Sequence, residues 1–207
     1  KNNSDILPGS GVDINYFYKS RYKIQKKINI YFFGRIIKSK GVREFIIASG
    51  YIKKIYPNVN FYIMGKILND KNEISIKKIL KWKKKYKFNL LEYQKDIRKY
   101  IENSHLVILP SYSEGTPHIL LEAASMNRPL IASNIPGNND IVEDGINGFL
   151  FQNKNSRDLI KKIQKFLILS DAKKTLMAKL SRELVINKFN ENLVINKYLT
   201  EINLIND

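Results

Sequence analysis

Six short apolar runs punctuate the chain, and between them apolar residues recur at three- and four-residue spacing. The runs are INIYFFG (28–34), VNFYIMG (59–65), NLLEY (89–93), HLVILP (105–110), PLIAS (129–133) and GFLF (148–151). Each is too short for a helix, and most are too continuously apolar for a strand that exposes one face, so they read as strands buried on both sides. The intervening stretches predict helices near 40–56, 73–86, 96–103, 117–126 and 138–143, with three more near 156–169, 171–187 and 190–204. Buried strands alternating with helices are the pattern of a parallel sheet covered on each face. The expected fold class is therefore α/β, a Rossmann-like doubly wound domain ending in helices. No internal repeat breaks the order.

Composition narrows this picture. A chain of 207 residues with 43% hydrophobic content can bury one substantial core, so one domain with appendages is expected. There is no cysteine, which excludes disulfides and thiolate metal sites and fits a reducing, cytoplasmic setting. No apolar stretch approaches the roughly 18 to 20 residues of a membrane span, and KNNSDILPGSGVD lacks the apolar core of a signal peptide, so the chain reads as soluble. The formal charge of +17 favours polyanionic partners: nucleic acid, an anionic membrane surface or phosphorylated substrates. The basic residues concentrate in KSRYKIQKK (19–27) and KWKKKYK (81–87), and the second run also reads as a solvated helix face in a lysine-rich chain.

Ligands of such sheets sit outside the carboxyl ends of the strands, so the loops there carry the candidate chemistry. GRIIKSKG (34–41) offers a glycine at Gly34, where the chain turns, and then Arg35 and Lys40 at the start of a helix. Two cations beside a partially positive helix end suit a phosphate or diphosphate. The second loop, VILPSYSEGTP (107–117), leads into another helix, with Thr116 expected as its N-cap and Pro117 in its first turn. Gly115 permits close backbone approach. Glu114 precedes this helix and Glu122 lies more than one turn inside it, so the two acids address different parts of one extended ligand. A carboxylate accepts from vicinal hydroxyls, and amides plus an acid suit a nucleotide sugar. The plain alternatives are a solvated acid at Glu114 and a buried acid paired with lysine at Glu122.

GRIIKSKG, the spaced acids of EGTPHILLE (114–122) within a longer matching stretch to GFLF, and the lead-in GVDINYF (11–17) together resemble the family 4 retaining glycosyltransferases of the two-domain GT-B fold. The resemblance covers residues 8 to about 170 in the right motif order. It looks closest to bacterial enzymes that build surface polysaccharides or lipid-linked glycans, including N-acetylhexosaminyltransferases. It implies that residues 1–27 are an interdomain lead-in, that 28–187 bind the donor, and that 188–207 pack toward an N-terminal acceptor domain which the 207 residues lack. The chain alone is then expected to bind donor without transferring it.

Carried over by residue, the resemblance implies that Arg35 and Lys40 bind the donor diphosphate and stabilise it as a leaving group. Glu122 would accept from the ribose hydroxyls, Glu114 would contact the transferred sugar, and Gly34 and the amides of Gly115, Thr116 and His118 would hold sugar and phosphate. His118 reads as a ligand or a packing residue, and His105 as structural. The donor is expected to be a UDP-N-acetylhexosamine and the acceptor a glycan or polyprenyl-linked sugar. No metal-holding Asp-x-Asp is present, so neither metal nor further cofactor is expected. Peripheral contact with anionic lipid on the cytoplasmic face of the inner membrane is expected, and nucleic acid is not. Two departures stand out: LEYQKDI (91–97) lacks the family's usual glycine after the third strand, which reshapes the base pocket, and Asn127 replaces a common glycine at a helix end, where a left-handed cap is expected. An epimerase, a hydrolase or a non-catalytic nucleotide-sugar binder would carry the same half, and a basic nucleic-acid module remains the rival outside it.

Overall fold

The computed structural model of the chain describes residues 9–67 and 73–206. Residues 1–8 of the expected lead-in and residue 207 of the expected last segment lie outside them. The strands are β1 (Ile28–Phe33), β2 (Val59–Met64), β3 (Asn89–Leu91), β4 (Leu106–Leu109), β5 (Leu130–Ser133) and β6 (Gly148–Phe151). The helices are α1 (Val42–Ile55), α2 (Ile76–Tyr86), α3 (Arg98–Glu102), α4 (His118–Ser125), α5 (Pro136–Asn139), α6 (Ser156–Leu167), α7 (Asp171–Lys188) and α8 (Glu191–Asn206). One element departs from expectation. The helix expected at 138–143 forms instead at Pro136–Asn139, because Pro136 with its preset backbone angle takes the first helical turn.

All six strands pair in parallel in the order β3-β2-β1-β4-β5-β6. The order reverses between β1 and β4, where neighbouring loops part toward opposite faces and leave a crevice. Every residue of β4 and β5 is buried, as their continuous apolar sequences require. Alternation on β1 divides the core. Ile30 and Phe32 join Phe45 of α1, Phe61, Ile108 and Phe166 of α6 on one face, while Tyr31 and Phe33 join Val107, Leu109, Leu120 and Ala124 of α4 on the other. Each fully buried aliphatic or aromatic side chain contributes on the order of 1.5–3 kcal/mol. Side-chain oxygens cap three of the helices: Ser75 accepts from the Lys78 amide, Asn155 from Arg157 and Asp158, and Ser170 from Lys173.

Asn127 takes the left-handed conformation at φ 59°. The amides of Asn127 and Arg128 then reach back to the carbonyls of Ala124 and Ala123, closing α4 in a Schellman turn. This turn aims Arg128 into the interior, where it is wholly buried. Its guanidinium donates to the carbonyls of Ile101 (2.8 Å), Asn127 (2.8 Å) and Glu102 (2.9 Å), and to the Ser20 hydroxyl (2.6 Å). A second arginine, Arg182 of α7, donates to the carbonyls of Ile14, Phe17 and Ser125. Together they fasten the lead-in segment to the domain, and Val12 adds a parallel bridge to Asn190. His105 is structural as expected: it is buried, and its Nδ1 accepts from the Asn29 amide at 3.0 Å. Burial, with the charges of Arg128 and Lys174, holds it neutral, down to about 4.

Arg128→Met keeps apolar bulk but strands at least three buried carbonyls. It should cost about 3–5 kcal/mol, and Arg128→Lys somewhat less, because bonds to charged donors cost roughly 1.5–3 kcal/mol each and do not add fully. Urea denaturation measures it; a loss below about 1 kcal/mol would show that the guanidinium does not fasten the lead-in.

Candidate active site

The loop after β1 is built to stay tight against its neighbours. Gly34 turns out of the strand at φ 148° and donates to the Met64 carbonyl at 3.0 Å. A short turn, Lys38–Lys40, then ends at Gly41, which is left-handed at φ 66° and starts α1. A β-carbon on Gly41 would lie 1.9 Å from the Pro110 carbonyl oxygen, so only glycine lets α1 abut the loop after β4. That second loop is pinned at several points. The Tyr112 amide donates to the Ser39 carbonyl at 2.8 Å, the Ser133 hydroxyl donates to the Ser111 carbonyl, and Asn153 donates to the Tyr112 carbonyl at 3.0 Å. The Tyr112 hydroxyl bonds the buried Glu44 at 2.9 Å. On the far side Gly137 lies so close that a β-carbon there would be 1.5 Å from the Gly115 carbonyl oxygen.

These loops enclose a cavity of about 500 Å³ at the reversal point, lined by Gly34, Arg35, Lys40, Glu114, Thr116, His118 and Glu122. Seven of the eight residues expected from sequence therefore meet in one place. The eighth, Gly115, stands beside it, exposed, with open space where a side chain would project. Thr116 does not cap α4. The cap position falls on Pro117, without a side-chain bond, and the Thr116 side chain lies against Gly9 instead. The amides of Thr116, His118 and Ile119 thus have no hydrogen-bond partner among the described residues, which leaves the positive end of α4 open toward the cavity.

The two acids differ, but not as the plain alternatives had it. Glu114 is the acid paired with a lysine: its carboxylate meets the Lys40 ammonium at 2.6 Å, and only 22% and 11% of the lysine and glutamate side chains are exposed. Glu122 is half-buried, and its carboxyl has no hydrogen bond or ion pair among the described residues. Burial against the apolar side of the cavity pushes its carboxyl up to about 7. Arg35 is exposed, and its guanidinium is likewise unpartnered among the described residues.

Several further residues wall the cavity. Lys66 stands just past β2 with its ammonium 4.4 Å from the centre of the Tyr93 ring, and Tyr93, Gln94 and Ile97 complete that end of the cavity. Lys66 was findable by the same rule that found Arg35, since GK (65–66) directly follows a strand. Tyr93 and Gln94 occupy the LEYQKDI stretch where a reshaped base pocket was expected. Among the described residues no three His, Cys, Asp or Glu side chains form a group able to hold a metal. No described helix is long and apolar enough to cross a membrane.

The family model described as glycosyl transferases group 1 matches residues 17–183. The chain is 32% identical over 166 residues to the UDP-Gal:alpha-D-GlcNAc-diphosphoundecaprenol alpha-1,3-galactosyltransferase of Escherichia coli, covering 71% of this chain and 41% of that enzyme. Its structure superposes with a TM-score of 0.75 on the C-terminal domain of a glycosyl transferase group 1 family protein, LpcC, from Francisella tularensis, at 24% identity and covering 86% of this chain and 98% of that one. It also matches a variant of Staphylococcus aureus TarM in complex with Fondaparinux, alpha-GlcNAc-glycerol and UDP, with a TM-score of 0.78, 25% identity, and coverage of 89% of this chain and 37% of that one. The chain spans about two fifths of the length of the curated relatives it matches.

The raised Glu122 carboxyl has a signed consequence for stability. Its folded value, about 7, lies above the ordinary 4.5, so its contribution is complete below pH 4.5 and is lost as pH rises through 7. Glu122→Gln removes that loss. The stability of the variant relative to the parent should therefore improve between pH 4.5 and pH 8 by on the order of 2–3 kcal/mol. Urea denaturation of both proteins across this range tests it, and a difference independent of pH would contradict the buried, unpaired carboxyl.

Proposed function

The chain belongs to the glycosyl transferases group 1 family, and we propose that it is the donor-binding half of a retaining, family 4 type glycosyltransferase that takes a UDP-linked sugar. The observation that carries this reading is the convergence in one crevice of cations, open helix amides and an unpaired acid. Arg35 and the α4 amides receive the diphosphate, and Glu122 accepts from the ribose hydroxyls. Tyr93 and Gln94 lie where the base would extend. The diphosphate competes with Glu114 for the Lys40 ammonium, so donor binding loosens their ion pair and turns the Glu114 carboxylate toward the sugar hydroxyls.

In transfer, the sugar passes through an oxocarbenium-like state as its bond to the diphosphate breaks. Arg35 and Lys40 stabilise the charge that develops on the leaving oxygen, a preorganised effect worth ~3–4 kcal/mol per key donor. The departing diphosphate can take the proton of the incoming hydroxyl. These cations serve in place of a metal, and no further cofactor enters the reaction as proposed.

The acceptor is read as a glycan or polyprenyl-linked sugar, in keeping with the diphosphoundecaprenol named for the Escherichia coli relative. It would be held by a second domain, with the enzyme peripheral on the cytoplasmic face of the inner membrane. Support for such a domain comes from α8, where Ile195, Leu199 and Ile202 share one face at helical spacing and are each about half exposed. Donor binding is assigned to this chain and transfer to the two-domain assembly, because holding the acceptor hydroxyl in place supplies on the order of 7–11 kcal/mol of the barrier.

Calorimetry with UDP tests the assignment. Arg35→Ala should weaken UDP by roughly 1.5–3 kcal/mol. Glu122→Gln should also weaken UDP, whereas Glu114→Gln, which frees Lys40 for the diphosphate, should bind UDP as tightly or more tightly and lose the added affinity of the sugar. With UDP-N-acetylglucosamine, which has no terminal phosphate titrating near pH 6, affinity should rise as pH passes through about 7 in the parent and stay flat in Glu122→Gln. Equal effects of the two glutamate variants on UDP would mean that their roles are misassigned.

A further inference from the structure

Away from the donor crevice, α2 carries a dense run of positive charge. Seven lysines fall between Lys77 and Lys87, and no acid stands between Glu73 and Glu92. The helix buries only Ile79, with Trp82 and Tyr86 half-buried beside it. Helical spacing therefore turns Lys77, Lys81 and Lys84 directly outward, and all three are exposed. The positive field extends past the helix end. Lys27, Lys53 and Lys87 converge from three elements, and burial together with the charges of Lys27 and Lys87 holds the Lys53 ammonium below the ordinary lysine range. Among these cations two apolar side chains stand out into solvent one turn apart, Ile76 at 43% and Leu80 at 47% exposure.

From this juxtaposition we infer that α2 is a docking face for an anionic lipid bilayer, with lysines against the headgroups and Ile76 and Leu80 entering the boundary of the acyl region. The lysines alone would suit any polyanion. The apolar pair selects a membrane, because two exposed aliphatic side chains gain nothing from a phosphate backbone and gain burial from lipid. The aromatics of the helix are poor platforms for stacked bases, since both pack toward the core and carry their own cations, Lys78 5.1 Å from the centre of the Trp82 ring and Lys85 5.2 Å from that of Tyr86. The inference deepens the proposed reading, which puts the acceptor at a membrane, by naming the surface through which the donor half would reach it.

Trp82 is the only tryptophan of the chain and lies on this helix, so it reports the contact directly. The 207-residue chain is titrated with vesicles of phosphatidylglycerol and phosphatidylcholine, following Trp82 emission and flotation, with pure phosphatidylcholine vesicles and single-stranded RNA as comparisons. The expected result is a shift of Trp82 emission and co-flotation with the anionic vesicles only, reversed by high salt. Replacing Lys77, Lys81 and Lys84 together by Gln should lower vesicle affinity roughly 100-fold, at about fivefold per lysine. Ile76→Ser with Leu80→Ser should lower it at unchanged charge. UDP affinity of these variants, whose substitutions lie outside the crevice, checks that they fold. No binding to anionic vesicles, undiminished binding by the triple variant, or RNA binding without vesicle binding would overturn the inference. Vesicle binding is read without nucleotide, so its failure and a failure of the donor site remain separate results.

Discussion

Backbone packed on backbone holds the loop between β4 and α4, and the crevice depends on it. Gly41 presses on the start of this loop at Pro110, and Gly137 presses on its far part at Gly115; a single added carbon at either glycine would collide with a carbonyl oxygen at under 2 Å. The hydrogen bonds from Ser133, Asn153 and Tyr112 fix the stretch between. The loop can leave a buried strand, cross the crevice and open α4 without a side-chain cap because its course is fixed from both sides. The uncapped amides of α4 are then available to a ligand instead of to Thr116.

The electrostatics follow from that geometry. Bringing Gly41 against Pro110 carries Lys40 to Glu114, so one cation and one acid of the site satisfy each other in a mostly buried pair. The carboxyl of Glu122, more than a turn further along α4, is desolvated by burial and stays unpaired among the described residues. A ligand that brings two phosphates and a ribose supplies what each lacks: anionic oxygens for Arg35 and the amides, and hydroxyl donors for Glu122. Desolvating a carboxyl is costly, and a ligand that donates hydrogen bonds to it would offset that cost.

Strands and helices were legible because a parallel sheet buried on both faces writes itself as short continuous apolar runs, and six such runs stood apart in this sequence. The site was legible as a set, because Arg35, Lys40, Glu114 and Glu122 all follow strands whose carboxyl ends converge. Its internal pairing was not, since which acid Lys40 meets depends on a close approach of Gly41 to Pro110 that no local pattern encodes. The same limit hid Arg128. It sits in MNRPL as an ordinary-looking arginine, yet the left-handed turn at Asn127 drives it inward to fasten Ser20, which is distant in sequence. The start of α5 is legible locally, because Pro136 marks it. Lys66 is legible by position, because GK (65–66) directly follows β2.

The central claim is that the reversal point of the sheet binds a nucleoside diphosphate through these residues. A crystal structure of the chain grown with UDP tests it most directly. The account predicts the diphosphate between the Arg35 guanidinium and the amides of His118 and Ile119, ribose hydroxyls on Glu122, and Lys40 drawn from Glu114 toward the phosphates. UDP seated elsewhere on the chain, or in the crevice with its ribose away from Glu122 and the Lys40–Glu114 pair intact, would contradict it.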